Sequence, residues 1–457
     1  MSLHRPSREQ SPDAVLDVNP VYAQPVIDRV PKNRLPDEPM DPGTAYQIVH
    51  DELLLDGNAR TNLATFVTTW MEPQGLDLMA ECADKNMIDK DEYPQTAELE
   101  RRCVQMLGTL WNAPGEPVGC STTGSSEACM LGGLALKRRW QQRTGGSGNP
   151  NLVMGANVQV VWEKFCNYWD VEARLVPMEG DRFHLDAESA LPQCDENTIG
   201  VVAILGSTFD GSYEPIADIA AALDDLQERT GLDVPIHADG ASGALVAPFI
   251  DADLEWDFRI DRVASINVSG HKYGLVYPGI GWAVWRDDEA LPEELVFKVD
   301  YLGGNMPTFT LNFSRPGSQV ATQYYNFIRL GFEGYRAVQQ KCRDVATDLA
   351  ARLGDMDAFE LLTDGSELPA FAFRLRDGVD AYSVYDVSRG LRESGWIVPA
   401  YRFPKNRDDL HVLRVVVRNG FSRDLADLCL EDVERLLREL ERQPEPRASA
   451  HASSFHH

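Results

Sequence analysis

Short apolar segments alternate with helical stretches between residues 118 and 285, and this alternation constrains the fold more than any other feature of the 457-residue sequence. Strand-like segments lie at residues 151–154, 158–161, 173–176, 199–205, 234–237, 263–268 and 280–285. Helical patterns separate several of them, and a long one runs from Ala128 to Trp140. Strands that alternate with helices in this way are typical of an α/β domain with a largely parallel sheet.

The chain is long enough for more than one packed domain. Helices are predicted near residues 42–55, 76–86, 98–110 and 324–353. Strand-like segments at 370–375, 396–401 and 411–417, followed by a helix at 423–440, predict a second unit of α+β type. We therefore expect an N-terminal arm and helix over 1–57, a large domain over 58–340, a small C-terminal domain over 341–443 and a tail over 444–457.

Composition excludes several classes of protein. The net charge of −28 argues against nucleic-acid binding, which needs clustered cations. No run of 18 apolar residues predicts a membrane span, and the N-terminus lacks the apolar core of a signal peptide, so we expect a cytoplasmic protein. The eight cysteines are scattered without a Cys-x-x-Cys pair, which predicts free thiols and neither a zinc cluster nor a disulfide framework.

A lysine in a glycine-bounded turn is the first candidate for chemistry. Lys272 lies in Ser269-Gly-His-Lys-Tyr-Gly274, directly after the apolar segment 263–268. A lysine taken out of water loses its proton more easily and can then form a Schiff base with a carbonyl compound. The alternative is an ordinary turn lysine whose ammonium group stays in water.

Two upstream motifs add an anion site and a carboxylate. Ser125 and Ser126 follow Gly124 at the start of a predicted helix, where backbone N–H groups and the helix dipole favour an anion. Asp239 follows an apolar strand and is placed to lie in a cleft at the carboxyl end of that strand, where it needs a cationic partner. Taken singly, Ser125 and Ser126 are better explained by helix capping, and Asp239 is also compatible with a turn residue that caps the next helix.

The order of the three motifs favours one cofactor. Pyridoxal phosphate offers a phosphate, a ring nitrogen and an aldehyde, and the helix start, Asp239 and Lys272 supply one group for each. The combination is far less probable by chance than any single motif. The sequence therefore predicts a pyridoxal 5'-phosphate site, and no metal site.

Longer segments carry a resemblance to a known family. They include Asp51-Glu-Leu-Leu-Leu-Asp-Gly-Asn-Ala-Arg60, Leu63-Ala-Thr-Phe66, Lys85-Asn-Met-Ile-Asp89, Glu92-Tyr-Pro-Gln95, Gly124-Ser-Ser-Glu-Ala-Cys-Met-Leu-Gly-Gly133, Cys194-Asp-Glu-Asn-Thr-Ile-Gly200, Val299-Asp-Tyr-Leu-Gly-Gly304, Asn312-Phe-Ser-Arg-Pro316 and Ser454-Phe-His-His457. With these segments and the lysine motif, the chain resembles the glutamate decarboxylases among the fold-type I, group II pyridoxal-phosphate-dependent decarboxylases. The resemblance implies a mainly parallel seven-stranded sheet in the large domain and a smaller C-terminal α+β domain.

The resemblance also implies roles for individual residues. Lys272 would bind the cofactor covalently, and His271 beside it would share in the catalytic site. The implied cofactor-binding residues are Ser125, Ser126, Ser269 and His271 at the phosphate, Gln159 over the ring, Asp239 at the ring nitrogen, Thr208 beside the cofactor hydroxyl and Ser314 at the phosphate of a neighbouring subunit. The implied substrate-binding residues are Arg414 at the α-carboxylate and Thr65, the Phe66 backbone, Asn86 and Asp89 at the distal carboxylate.

A carboxylate that binds a carboxylate requires one of the two to be protonated, so the implied role of Asp89 fits an enzyme that works at acid pH. Without the resemblance, Asn86 and Asp89 would be read as an ordinary helix end and turn. At the other end of the chain, His457 falls where bacterial members carry a histidine that enters the active site near neutral pH. The terminal histidines are also compatible with a remnant of a purification tag.

The implied reaction is α-decarboxylation of L-glutamate to 4-aminobutanoate (GABA) and CO2, with one proton consumed, by a carboxy-lyase suited to acid resistance. The alternatives are a group II decarboxylase for another amino acid, such as aspartate, and a non-catalytic protein that keeps the fold. The resemblance implies a homodimer as the active unit and is also compatible with a hexamer. No basic, Trp-bearing segment follows the last helix, so no calmodulin partner is expected.

Overall fold

The computed structural model describes residues 32–299 and 306–442. The chain divides into two compact units, residues 1–58 and residues 59–457. In the first unit, helix α1 (Pro42–Leu53) begins where the Asp41 side chain accepts a hydrogen bond from the Thr44 N–H, with a proline in its first turn. It ends two residues before the predicted boundary. Most of the predicted N-terminal arm lies outside the described residues.

A seven-stranded sheet forms the centre of the second unit. Its strands are β1 (Val118–Thr122), β2 (Asn151–Gly155), β3 (Glu172–Val176), β4 (Thr198–Ile204), β5 (Ile236–Asp239), β6 (Val263–Val268) and β7 (Gly281–Trp285). Their order in the sheet is β1-β7-β6-β5-β4-β2-β3, and only β7 runs antiparallel to its neighbours. The prediction of a mainly parallel seven-stranded sheet is therefore confirmed.

Helices cover the sheet and connect its strands. They are α2 (Pro73–Glu81), α3 (Pro94–Leu110), α4 (Ser125–Thr144), α5 (Val160–Tyr168), α6 (Ala187–Ala190), α7 (Ile216–Thr230), α8 (Ala247–Ile250) and α9 (Ser318–Gly354). Short 3-10 turns occur at Ala59–Thr61, Leu191–Gln193, Gly243–Leu245 and Glu293–Leu295. Helix α9 is interrupted at Gly331, whose φ of 57° and ψ of −170° are open to glycine but strained for other residues.

The C-terminal part forms the predicted smaller α+β unit, and its sheet is antiparallel. A two-stranded ribbon, β8 (Phe297–Val299) and β9 (Met306–Thr308), precedes α9 in the chain. After it come β10 (Phe359–Leu361), β11 (Ala370–Leu375), α10 (Val384–Glu393), β12 (Ala400–Arg402), β13 (His411–Val416) and α11 (Arg423–Arg442). The sheet order is β10-β11-β13-β12, and buried side chains of α9, α10 and α11 cover it.

The segment around Leu63 lies against the C-terminal sheet although it is far away in sequence. The Leu63 N–H donates to the Ile397 carbonyl at 2.9 Å, and the Leu63 carbonyl accepts from the Val416 N–H at 2.9 Å. Both backbone groups of Leu63 are therefore satisfied by the C-terminal part, and its side chain is fully buried. The same segment continues directly into Thr65 and Phe66.

The predicted type or bounds of several elements differ from those in the structure. Residues 158–161, predicted as a strand, contain the first residues of α5, whose N-terminus is capped by Gln159. A short apolar run does not distinguish a strand from a buried helix, and the side-chain cap decided the outcome here. Helix α2 begins at Pro73, three residues before the predicted start, and ends at Glu81, five residues before the predicted end. Among the described residues, no helix is long and apolar enough to cross a membrane.

Candidate active site

The carboxyl ends of five strands meet at one edge of the large sheet. Strands β1, β2, β4, β5 and β6 run in the same direction, because β7 is antiparallel to both β6 and β1. The segments that follow them carry most of the sequence-predicted cofactor residues: Ser125 and Ser126 after β1, Gln159 after β2, Thr208 after β4, Asp239 at the end of β5, and Ser269, His271 and Lys272 after β6. Ligands of open α/β sheets bind at this edge.

Lys272 is half-buried between polar and aromatic groups. Its Nζ donates a hydrogen bond to Ser242 Oγ at 3.1 Å and lies 5.4 Å from the centre of the Phe66 ring. Burial lowers the pKa of the Lys272 amine below its ordinary value of 10.5; the Arg414 charge lowers it further, and the Asp239 carboxylate raises it in part. The amine is therefore more easily deprotonated than a solvated lysine, as the functional interpretation of the motif predicts.

The backbone of the lysine turn is held from two sides. The Thr68 N–H donates to the His271 carbonyl at 2.7 Å, and Thr68 Oγ1 donates to the Lys272 carbonyl at 2.5 Å. Within the turn, the Lys272 N–H donates to the Ser269 carbonyl at 3.1 Å. These bonds fix the direction in which the lysine side chain leaves the sheet.

Ser269 and His271 present polar atoms that their neighbours do not satisfy. Within the described part of the chain, neither Ser269 Oγ nor His271 Nδ1 has a hydrogen-bond partner, although both atoms are buried. Burial lowers the pKa of His271 to about 4, and the Lys272 charge adds to the effect. A Cβ atom at Gly124 would lie 3.1 Å from His271 Cε1, so the glycine lets the imidazole approach the start of α4.

Asp239 is buried and accepts hydrogen bonds on both carboxylate oxygens. Oδ2 accepts from Trp162 Nε1 at 2.8 Å, and Oδ1 accepts from Asn267 Nδ2 at 3.0 Å and from the Ala241 N–H at 3.1 Å. Sequence reasoning found Asp239 but missed Trp162 and Asn267. The one signal for Asn267 was a polar side chain within the apolar segment 263–268.

Arg414 lies on β13 and reaches the same place from the C-terminal sheet. Its Nη2 donates to the Ala64 carbonyl at 2.6 Å, and its Nη1 donates to the Thr208 carbonyl. The guanidinium carbon lies 4.8 Å from the centre of the Phe66 ring, and Nε has no hydrogen-bond partner among the described residues. The structure thus brings Lys272, Phe66, Thr208 and Arg414 together.

The segment with Thr65 and Phe66 is held by an arginine that sequence reasoning missed. Arg418 is 2 % exposed and donates to the carbonyls of Asn62 at 2.7 Å and Thr65 at 2.9 Å. It also donates to the Ala59 carbonyl and to the Thr69 hydroxyl. The Thr65 hydroxyl accepts from the Val67 N–H at 3.0 Å, so this segment has a defined conformation.

Three predicted cofactor residues are exposed, Ser126, Gln159 and Ser314. Ser126 lies in the first turn of α4, and Gln159 caps α5 through Val161 N–H···Oε1 at 2.6 Å. The capping bond occupies one end of the Gln159 amide and leaves its other end for a ligand.

Asn86, Asp89 and Ser314 form a separate group. Asn86 Nδ2 donates to Ser314 Oγ at 3.3 Å, and Asn86 Oδ1 accepts from the Arg315 N–H at 3.1 Å. The Asp89 N–H donates to the Asn86 carbonyl at 3.2 Å. Among the described residues, the hydrogen bonds of this group lead to the start of α9 and not to Lys272. His457 lies outside the described residues.

Comparison with known proteins decides the family. Residues 35–376 match the model described as the pyridoxal-dependent decarboxylase conserved domain. A glutamate decarboxylase from Aliivibrio fischeri is 53% identical over 438 residues, covering 94% of each chain. The chain belongs to the pyridoxal-dependent decarboxylase family. Within this family of decarboxylases, it is also 48% identical over 445 residues to a glutamate decarboxylase from Petunia hybrida, covering 93% of this chain and 89% of the other.

One solved structure agrees with this assignment, and a second agrees in its fold. The glutamate decarboxylase of Lactobacillus brevis is 46% identical, covers 91% of this decarboxylase and 96% of its own chain, and superposes with a TM-score of 0.88. A sphingosine-1-phosphate lyase from Burkholderia pseudomallei, at 20% identity and a TM-score of 0.76 over 92% of this chain and 94% of its own, shares the fold. The fold-type I architecture expected from the sequence is confirmed.

Proposed function

We propose that this protein removes the α-carboxyl group of L-glutamate with pyridoxal 5'-phosphate as cofactor, giving 4-aminobutanoate and CO2. The observation that carries the proposal is the half-buried Lys272, whose pKa is lowered, at the same sheet edge as the buried Asp239 and the start of α4. Glutamate decarboxylases that are 53% and 48% identical over nearly the whole chain support the choice of substrate.

The residues at the sheet edge fit pyridoxal phosphate. Ser269 Oγ and His271 Nδ1 are buried polar atoms without a partner in the described structure, and the first turn of α4 adds unpaired N–H groups beside Ser125 and Ser126, as a phosphate requires. Asp239 is positioned for a protonated ring nitrogen. We assign Gln159 to the ring face, Thr208 to the cofactor hydroxyl, and Ser314 to the phosphate of a neighbouring subunit.

Bound pyridoxal phosphate supplies an electron sink for the pair left behind when CO2 departs. Lys272 would hold the cofactor covalently through its amine, and burial, which lowers the pKa of that amine, favours the neutral form that such a bond requires. Asp239 would hold the protonated ring nitrogen, which would strengthen the sink. Because replacing the carboxyl group by hydrogen takes up one proton, each turnover opposes acidification, and we propose a role in acid resistance.

Substrate binding is assigned to two groups of residues. Arg414 would hold the α-carboxylate, with its planar guanidinium already oriented by the Ala64 and Thr208 carbonyls. Thr65 and the Phe66 backbone would meet the distal carboxylate, together with Asn86 and Asp89. A contact between two carboxyl groups favours acid pH, because one of them must be protonated.

We also propose a cytoplasmic homodimer as the active unit. Ser314 is exposed, and its partner Asn86 lies on the same group of loops, which supports a role for both residues in a neighbouring subunit's site. The domain boundaries at 57, 340 and 443 and a plug role for His457 are proposed on the family resemblance.

One experiment tests the activity. The purified protein is expected to be yellow and to release CO2 from glutamate faster than from aspartate when both are assayed side by side near pH 4.5. Lys272→Ala is expected to abolish release and to change the visible spectrum. A colourless protein whose spectrum is unaffected by Lys272→Ala contradicts the catalytic proposal, and faster release from aspartate contradicts the choice of glutamate.

A further inference from the structure

Four polar side chains lie on one face of two adjacent central strands. The parallel register of β5 and β6 sets His237 opposite Ser265 and Asp239 opposite Asn267. In a strand, residues two apart point to the same side of the sheet, so the register aligns both pairs. His237 and Asn267 are fully buried, and Ser265 is 2 % exposed. Such groups are costly to bury unless each is hydrogen-bonded.

The side chains form one continuous hydrogen-bonded chain. Asn267 Nδ2 lies 3.0 Å from Asp239 Oδ1 and 2.5 Å from Ser125 Oγ. On the other side, Asn267 Oδ1 lies 2.7 Å from His237 Nε2, and His237 Nδ1 lies 2.7 Å from Ser265 Oγ. A single amide therefore touches both the carboxylate assigned to the ring nitrogen and a hydroxyl assigned to the phosphate.

The donor and acceptor capacities of these side chains allow only one direction of donation along this series of hydrogen bonds. An ionised Asp239 only accepts, so it faces the Asn267 amino group, and the Asn267 carbonyl oxygen must then accept from His237 Nε2–H. Burial lowers the pKa of His237, although the Asp239 carboxylate and the Asn267 hydrogen bond raise it in part, and so favours the neutral ring. A neutral ring with its proton on Nε2 has a lone pair on Nδ1, which accepts from the Ser265 hydroxyl.

Packing leaves the imidazole little room to turn. Its ring lies edge-on to Trp162, with the ring centres 5.0 Å apart, and Trp162 itself donates to Asp239 Oδ2. A Cβ atom at Gly132 of α4 would lie 2.4 Å from His237 Cε1. The ring is thus held between a helix backbone and an indole that also contacts Asp239.

We propose that His237, Asn267 and Ser265 are positioning residues that fix Asp239 as a charged acceptor for the cofactor ring nitrogen and, through the same Asn267 amide, aim the Ser125 hydroxyl at the phosphate. The inference rests on the proposed cofactor site and adds to it three residues that do not touch the substrate. Because Ser125 Oγ accepts from Asn267, its own proton is left to be donated to an anion.

The test measures cofactor binding and the visible spectrum of the bound cofactor rather than turnover. These are the dissociation constant of pyridoxal phosphate, from titration of cofactor-free protein, and the pH midpoint of the visible spectrum of the holoenzyme. Asn267→Leu is expected to weaken binding about tenfold or more, because its hydrogen bond to the charged Asp239 is lost. His237→Leu is expected to act in the same direction, because it removes the donor that orients the Asn267 amide. They are also expected to shift the spectral midpoint. His237→Gln is expected to restore most of both properties, since its amide N–H can still donate to Asn267.

The opposite edge of the sheet provides a matched control. Asn151 is also a fully buried asparagine between a carboxylate, Asp195, and a hydroxyl, Thr198. Asn151→Leu is expected to destabilise the fold while the dissociation constant of pyridoxal phosphate and the spectral midpoint stay unchanged. Equal weakening by Asn151→Leu and Asn267→Leu would show that the network acts only through stability and would overturn the proposal.

Ser265→Ala covers the case in which the leucine variants do not fold. It removes the hydroxyl that donates to His237 Nδ1, so the imidazole is no longer fixed in one tautomer. A smaller shift of the spectral midpoint is therefore expected. An unchanged midpoint in Ser265→Ala and His237→Leu, or in Ser265→Ala alone when His237→Leu is insoluble, overturns the inference. Wild-type protein that binds no pyridoxal phosphate contradicts the proposed function instead, so the two failures are distinguishable.

Discussion

At the scale of single residues, Arg418 shows how a buried cation can organise a binding segment. Its guanidinium donates to backbone carbonyls of Ala59, Asn62 and Thr65, and burial lowers its pKa to about 10. A buried arginine is costly unless its N–H groups are paired, and here carbonyl oxygens provide much of the pairing. The contact ties the segment that carries Thr65 to the end of β13.

Removal of this guanidinium is expected to weaken substrate binding more than cofactor binding. For Arg418→Met we expect the KM for glutamate to rise by about tenfold, because a small misplacement of binding groups is enough for such a loss. The dissociation constant of pyridoxal phosphate should change by less than about threefold, since no assigned cofactor residue contacts Arg418. Steady-state kinetics and a cofactor titration measure the two effects.

Arg423→Met serves as the control for this substitution. The Arg423 side chain is 62 % exposed and pairs with Asp348 on the surface, so its loss should leave KM unchanged. A KM for Arg418→Met that equals the wild-type value would show that the segment does not depend on Arg418.

At the scale of secondary-structure elements, a buried carboxyl group joins three parts of the large unit. Glu214 Oε2 accepts from the Ile204 N–H at 2.6 Å at the end of β4, and Oε1 accepts from the Leu185 N–H and from Asn157 Nδ2 beside β2. Burial raises the pKa of Glu214 to about 7, and the Asp239 charge raises it further, although the three hydrogen bonds oppose the shift.

This carboxyl group is expected to favour the folded protein at acid pH. Its folded pKa of about 7 lies above the ordinary value of 4.5, so the folded state binds more protons between these values. The stabilising contribution is fully present below pH 4.5 and is lost as the pH rises through 7. Its size is on the order of 3 kcal/mol. Glu214→Gln should therefore flatten the pH dependence of the free energy of unfolding between pH 4.5 and 8, as measured by denaturant unfolding. An unchanged slope would contradict the assignment.

The interruption of α9 is expected to depend on glycine. Gly331 has φ 57° and ψ −170°, a region that costs other residues about 1–3 kcal/mol, and no atom of the described residues lies within 4 Å of the place that a Cβ atom would take there. Gly231, with φ 77° and ψ 5° at the end of α7, is in the milder left-handed region with equally open surroundings. Gly331→Ala should therefore lower the melting temperature more than Gly231→Ala, as followed by circular dichroism. Equal effects would indicate that α9 can continue through residue 331.

Elements with a strong local signal could be predicted from the sequence. The parallel sheet followed from the alternation of apolar segments with helices, and Lys272 and Asp239 followed from turns after strands. Residues 158–161 were predicted wrongly, because the cap by Gln159 outweighed a strand-like run. Asn267 and Trp162 were missed because their importance arises from strand register and helix packing, which join residues that are distant in sequence.

At the scale of the whole molecule, the excess of acidic residues is expected to make stability depend on salt. The net charge is −28 near pH 7, and the sequence pI is about 4.7. Like charges repel across the surface of the folded protein, and added salt screens this repulsion over a Debye length that falls from about 30 Å at 0.01 M to about 10 Å at 0.1 M. The melting temperature at pH 7 should therefore rise with sodium chloride over this range.

The same salt series near pH 4.7 provides the control for this prediction. Here the net charge is close to zero, so the melting temperature should change little with sodium chloride. Differential scanning calorimetry at both pH values measures the contrast. An equal rise at pH 4.7 and pH 7 would assign the effect to ion binding or to hydration rather than to surface repulsion.

The contact between the Leu63 segment and the C-terminal sheet has a consequence for biosynthesis. The hydrogen bond from Arg414 to the Ala64 carbonyl joins residues 350 positions apart, and the bond from Arg418 to the Thr65 carbonyl spans 353. During translation, Thr65 and Phe66 leave the ribosome long before β13 exists, so the proposed substrate pocket cannot form on a partial chain. Contacts of such sequence separation also form slowly. A nascent chain can thus acquire the strands that surround Lys272 before it can recognise glutamate, which delays catalysis until synthesis is nearly finished.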